Sequence, residues 1–123
     1  MSITSSDFVA NFQIENRPVR GRAVRMGPAS ISPILHRHDY PDNLARILGE
    51  AVTLAALVGS SLKFEGRLLV QAEGDGPVKM LVGEYRSDGG VRGYARFDAD
   101  AWAHLDKLNK GAAPHMPQLF GPA

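Results

Sequence analysis

The chain contains no cysteine. That excludes structural disulfides, a thiolate nucleophile, and any zinc or iron–sulfur centre built on sulfur. Charge of one sign is also missing: 14 basic against 13 acidic residues leave a formal +1, without the imbalance of a dedicated nucleic-acid or anionic-membrane binder. Aromatic residues are few, at 7%. Long apolar runs are absent too. The longest mostly apolar, uncharged stretch covers residues 51–62, well short of the roughly twenty residues a spanning helix needs. Residues 1–7 are polar, with no basic n-region and no apolar h-region, so no secretory signal is expected and a cytoplasmic location is. What remains is 123 residues, 44% of them hydrophobic. That is enough for one domain with a real core.

The order along the chain is more informative. Val19, Gly21 and Ala23 alternate with Arg20, Arg22 and Val24, the pattern of a strand with one cationic face. Residues 31–38 read as a short helix, with Ser30 or Ser32 as cap and Pro33 in its first turn. Residues 42–62 form the strongest element, a helix of about five to six turns. Leu44, Ile47, Leu48, Leu54, Val58 and Leu62 fall on one arc, and the small residues Ala45, Gly49, Ala56 and Gly59 on the next. We therefore expect burial on two sides, the first packed by bulky side chains and the second allowing close backbone approach.

After Gly66 the period changes to 2. Residues 67–73 alternate, with Leu68, Val70 and Ala72 on one face; Gly74-Asp75-Gly76-Pro77 is a turn. Val78, Met80 and Val82 share the next alternation, Ser87-Asp88-Gly89-Gly90 is a second turn, and residues 91–97 are a third strand. A short helix follows over residues 98–109, capped by Asp98 or Asp100 and carrying Trp102, Leu105 and Leu108. The expected class is α+β: an antiparallel meander of three strands plus an N-terminal strand, packed on a long buried helix and short helices. Val19-Arg20-Gly21-Arg22-Ala23 echoes Val91-Arg92-Gly93-Tyr94-Ala95, as two strands of one sheet would where another backbone crosses. Residues 1–110 are read as a partial core, and 111–123 as a truncated loop or severed strand.

No reactive constellation stands out, so no catalytic, metal or cofactor-binding residue is assigned and an enzyme is not expected. His36, His38 and Asp39 could contribute to a zinc site, but they lack a fourth ligand, and a solvated helix end meeting its own carbonyls fits them better. The glycine turns at 74–76 and 89–90 are each followed by a strand, whereas a phosphate loop leads into a helix. No Gly-x-Ser-x-Gly elbow is present. Glu65, Glu73 and Glu84 read as solvated carboxylates at strand edges or turns. Arg17, Arg20, Arg22, Arg25 and Arg37 sit in an acid-free stretch, and with Arg92, Arg96 and Tyr94 they could form an RNA-binding sheet face. A solvated strand face accounts for them more simply. Met116-Pro117-Gln118-Leu119-Phe120 reads as exposed and apolar, a possible interface, or as the severed strand.

Five stretches in order resemble the N-terminal part of the redox-regulated 33-kDa chaperonin, the heat-shock protein 33 family. They are Val19-Arg20-Gly21, His38-Asp39-Tyr40-Pro41, Leu62-Lys63-Phe64-Glu65-Gly66, Val70-Gln71-Ala72-Glu73-Gly74-Asp75-Gly76-Pro77 and Val91-Arg92-Gly93-Tyr94-Ala95-Arg96. The resemblance implies an ATP-independent holdase for unfolding proteins, acting in stress response and dimerising on activation. It also implies a zinc-binding, four-cysteine switch in a C-terminal domain that has no counterpart in this chain. A partial domain would leave sheet edges uncovered, so self-association is expected. The resemblance does not locate the client-binding surface. The RNA-binding face of Arg20, Arg22, Arg92 and Arg96 is the alternative function.

Overall fold

The long helix and the sheet beneath it are built around each other. A computed structural model describes residues 7–121. The polar start read over residues 1–6, and residues 122–123, lie outside the described residues. The architecture is α+β. Helix α2, Asp42–Gly59, packs on one face of a three-stranded antiparallel sheet of order β3-β4-β5. Its strands are Arg67–Glu73, Val78–Arg86 and Val91–Phe97, the meander expected from the two turn signals. At the second turn Gly89 takes φ +95°, which a residue with a Cβ adopts only with strain.

The separation between helix and sheet is set by glycine. Gly83 of β4 lies directly opposite Gly93 of β5. A Cβ at Gly83 would come within 2.5 Å of the Ala51 carbonyl oxygen, and one at Gly93 equally close to the Val52 Cγ2 methyl. The pair forms a notch that admits the middle of α2. Leu44, Leu48 and Val52 are fully buried there, each contributing about 1.5–3 kcal/mol. Gly59 similarly leaves room for the Tyr85 ring.

The burial of α2 departs from the expected arcs. The small-residue side reaches the sheet, burying Ala56 and Gly59, and Gly49 faces the Leu35 methyls. The bulky arc is buried only in its first half. Leu54 and Val58 are 46% and 39% exposed, and Leu62, 52% exposed, lies outside the helix, which ends at Gly59 and not at the expected residue 62. Periodicity tells which residues share a side; it does not tell where the neighbouring layer stops.

The alternation in β4 also departs from expectation. Val78 pairs with Phe97 and Met80 with Arg96, so a bulge sits between them. The extra residue resets the pleat. Val78 joins Leu81 in the helix-side core, and does not share a face with Met80 and Val82.

The N-terminal segment forms two strands, β1 (Phe8–Gln13) and β2 (Arg20–Arg25). They pair as an antiparallel hairpin in a sheet of their own. The strands carrying the Val19 and Val91 echo are therefore not in one sheet. The two glycines accommodate different neighbours, the Phe12 ring over Gly21 and Val52 over Gly93.

Helix α1, Pro28–Leu35, starts three residues earlier than expected, with Pro28 in its first turn and Pro33 inside it. The Asp7 carboxylate accepts hydrogen bonds from the Gly27 N–H and the Ser30 hydroxyl at its start. Helix α3, Ala99–Leu108, is capped by Asp98, whose Oδ1 accepts from the Ala101 N–H at 3.0 Å. It buries Trp102 and Leu105. Edge-on and tilted ring contacts run from His38 through Tyr40 and Phe97 to Trp102.

Where a loop or strand was expected after residue 110, the structure has a one-turn helix, α4, Met116–Phe120. Met116 is exposed, but Leu119 is only 2% exposed and belongs to the core. Five residues are too few for periodicity to show. Asn109 and Gln118 exchange reciprocal amide hydrogen bonds of 3.1 Å. The Asp75 and Gly76 N–H groups both donate to the Phe120 carbonyl, at 3.0 and 3.1 Å.

Candidate functional site

The residues singled out for chemistry are dispersed. His36 Nδ1 lies 2.9 Å from the Ser32 carbonyl in the last turn of α1, the helix-end contact expected of it. His38 packs edge-on against Tyr40. Among the described residues no three His, Asp or Glu side chains gather as a metal site, and there is no cysteine. The residues present therefore do not fit the zinc that the resemblance implies, and no step is drawn through it. At the Gly74–Gly76 turn, two backbone N–H groups are spent on Phe120, so this turn serves packing. Among the described residues no helix is long and apolar enough to cross a membrane.

The four-arginine RNA face is not assembled. Arg20 and Arg22 lie on β2, and Arg92 and Arg96 on β5 of the other sheet. Arg22 donates to the Ser60 carbonyl at 3.1 Å and lies 3.3 Å from its hydroxyl. There a guanidinium satisfies the carboxyl end of α2.

Two surfaces stand out instead. The first is apolar. In β1 every residue is exposed, including Phe8, Val9 and Phe12, and Ile14 and Val19 flank the hairpin turn. Through Arg22 and Ser60, the hairpin meets the end of α2, where Leu54 and Val58 stand bare and Leu62 follows just beyond the helix. Exposed apolar surface on this scale marks a contact site.

The second surface is the side of the meander facing away from α2. The register sets its rows: Leu69, Glu84 and Arg92, then Gln71, Val82 and Tyr94, then Glu73, Met80 and Arg96. Glu84 is 5% exposed, contrary to its expected place as a solvated carboxylate. The central strand holds it between its neighbours, and Arg67 Nη1 bonds its Oε1 at 3.2 Å. Its position two residues after Val82 puts it on the same face of the middle strand, but only the pairing with β3 and β5 buries it. Tyr40 was also missed as a working residue. Its hydroxyl accepts the Ala95 N–H at 3.1 Å, which occupies part of the free edge of β5.

The family model described as Hsp33 protein matches residues 7–121. The chain belongs to the Hsp33 family. A protein named 33 kDa chaperonin from Caulobacter vibrioides (strain NA1000 / CB15N) is 65% identical over 101 residues, covering 82% of this chain and 33% of that protein. The protein of the same name from Pseudomonas fluorescens (strain SBW25) is 37% identical over 98 residues, covering 80% and 32%. That from Ectopseudomonas mendocina (strain ymp) is 39% identical over 95 residues, covering 77% and 32%. The chain thus spans about a third of the length of these Hsp33 relatives.

Proposed function

We propose that this chain is a client-holding part of an ATP-independent chaperone, binding unfolding proteins through the apolar surface of the hairpin and the bare ridge of α2. The observation that carries the reading is that ridge. Leu54 and Val58 of α2, and Leu62 just past its end, stand exposed beside an exposed hairpin, in a family whose relatives bear a chaperonin name. Unfolding clients expose apolar side chains, and association of apolar surfaces needs no nucleotide. The role is one of binding rather than catalysis, in the cytoplasm under stress. Redox control through zinc and cysteine, as the resemblance implies, would require residues this chain does not contain.

Self-association belongs to the same reading. Strands β1 and β3 each pair on one side only, and such edges template pairing with another chain. Two measurements test the proposal. The 123-residue chain, without ATP, should suppress light scattering from a heat-unfolding enzyme and bind a hydrophobic-surface dye. An unchanged scattering curve at molar excess would overturn the holdase reading. Sedimentation should show a dimer that dissociates on dilution; a monomer at all concentrations would remove self-association and leave client binding standing.

A further inference from the structure

The outer face of the meander carries a furrow that the apolar client surface does not use. Its main part is a groove of about 520 Å3. Its floor is Val82 and Glu84 of the central strand, both 5% exposed. Leu69 and Tyr94 supply apolar walls, and Arg37, Arg67 and Arg92 stand at the rim. A second groove of about 500 Å3 shares Arg67, Glu84 and Arg92 and continues past Arg86. Residues 82 to 86 of an extended strand span about 13 Å, the reach of roughly four residues of an extended peptide.

The charges of this furrow do not cancel. Its one buried acid, Glu84, is neutralised by Arg67. Arg37 and Arg92 have no ion-pair partner among the described residues. Asp88 at the far end faces Arg86, so the rim is cationic around a floor of Val82 and the paired Glu84. Glu84 Oε2 makes no hydrogen bond among the described residues, and it can accept a backbone N–H.

We propose that this furrow docks an acidic peptide segment of another protein, with carboxylates flanking an apolar side chain. The carboxylates pair with Arg37 and Arg92, for which bidentate guanidinium geometry is suited. The apolar side chain lies on Leu69 and Val82 beside the Tyr94 ring, and a peptide N–H meets Glu84. A single-stranded RNA fits less well. Its backbone carries no N–H to meet Glu84, and two rings, Tyr94 and His38, line the groove where base recognition uses several.

The test is fluorescence anisotropy on the 123-residue chain with short labelled peptides. One carries glutamates on both sides of a leucine, a second replaces each glutamate by lysine, and a third replaces the leucine by serine. A single-stranded RNA of similar length is the fourth probe. The glutamate–leucine peptide should bind tightest, and more weakly as salt rises. The doubly substituted Arg37→Glu, Arg92→Glu chain should lose about tenfold in affinity for it or more, and gain affinity for the lysine peptide. Both arginines are exposed, and an unchanged far-UV circular dichroism spectrum establishes that the variant is folded. Equal binding of the glutamate and lysine peptides, tighter binding of the RNA, or an affinity indifferent to the double substitution would each overturn the proposal. A leucine-free peptide that binds as well as its parent would overturn the apolar part of the furrow's role.

Discussion

At the scale of single residues, a missing methyl group can matter more than a side chain. Gly83 and Gly93 hold no contacts through side chains, yet they set how closely α2 approaches the sheet. Replacing Gly83 by alanine forces the Ala51 backbone away and should cost about 1–3 kcal/mol, as overpacking does. Gly49→Ala is the control. Its new methyl would lie 3.8 Å from a Leu35 methyl, in ordinary contact, and the helix gains up to about 1 kcal/mol from losing a glycine. Urea midpoints of the two variants should therefore move in opposite directions. A fall of similar size in both would show that the notch is not what seats the helix. Glu84 makes a related point. Its type suggested a surface carboxylate, whereas its neighbours on β3 and β5 bury it. The identity of those neighbours depends on strand pairing, which the local sequence around Glu84 does not contain.

At the scale of elements, helix α2 is both the backbone of the core and the support of the exposed ridge. Sequence periodicity assigned Leu54, Val58 and Leu62 to buried packing, and the structure leaves them bare. The two placements differ measurably. Buried leucines cost about 2–5 kcal/mol when truncated, while surface changes stay within about 0.5 kcal/mol. Substituting the three residues by glutamine should leave the denaturation midpoint nearly unchanged and still abolish most aggregation suppression and dye binding. Helix α4 shows the opposite error. Its segment looked like a loop because one turn gives no period, three prolines interrupt residues 111–123, and the bonds that anchor it to the rest of the fold reach Asn109 and the β3–β4 turn. Leu119→Ala should cost about 2–5 kcal/mol in a thermal or urea melt, far more than the same change at the exposed Leu108. Equal effects would mean that α4 is not part of the core.

At the scale of the whole molecule, stability is distributed unevenly. The meander is covered by α2 and flanked by α1, α3 and α4 through one core cluster. The β1–β2 hairpin stands as a two-stranded sheet with exposed large side chains, and such hairpins are marginal alone. Amide hydrogen exchange should therefore be fastest in β1 and β2 and slowest in α2 and β4. If chains associate through the β1 edge, hairpin protection should rise with protein concentration while the α2 amides hold constant. Uniform protection across both sheets at every concentration would contradict the picture. The zinc and redox chemistry implied by the resemblance has no residues to act through among those of this chain, so its binding surfaces must work, if they work alone, without that switch.

The sequence by itself determined the α+β class, the long helix, the three-stranded meander with its two turns, an aspartate cap at Asp98 or Asp100 and the family. Each of these is written in local spacing: a period of 3.6 or 2, a turn dipeptide, a capping side chain, a short motif. Tertiary structure alone decided that the N-terminal strands form a separate hairpin, that Leu54, Val58 and Leu62 face outward, that Arg22 serves a helix end, and that Glu84 is buried beneath a cationic rim. These depend on which elements meet and where each layer ends. Those are pairings between residues far apart in the chain, and no local pattern encodes them.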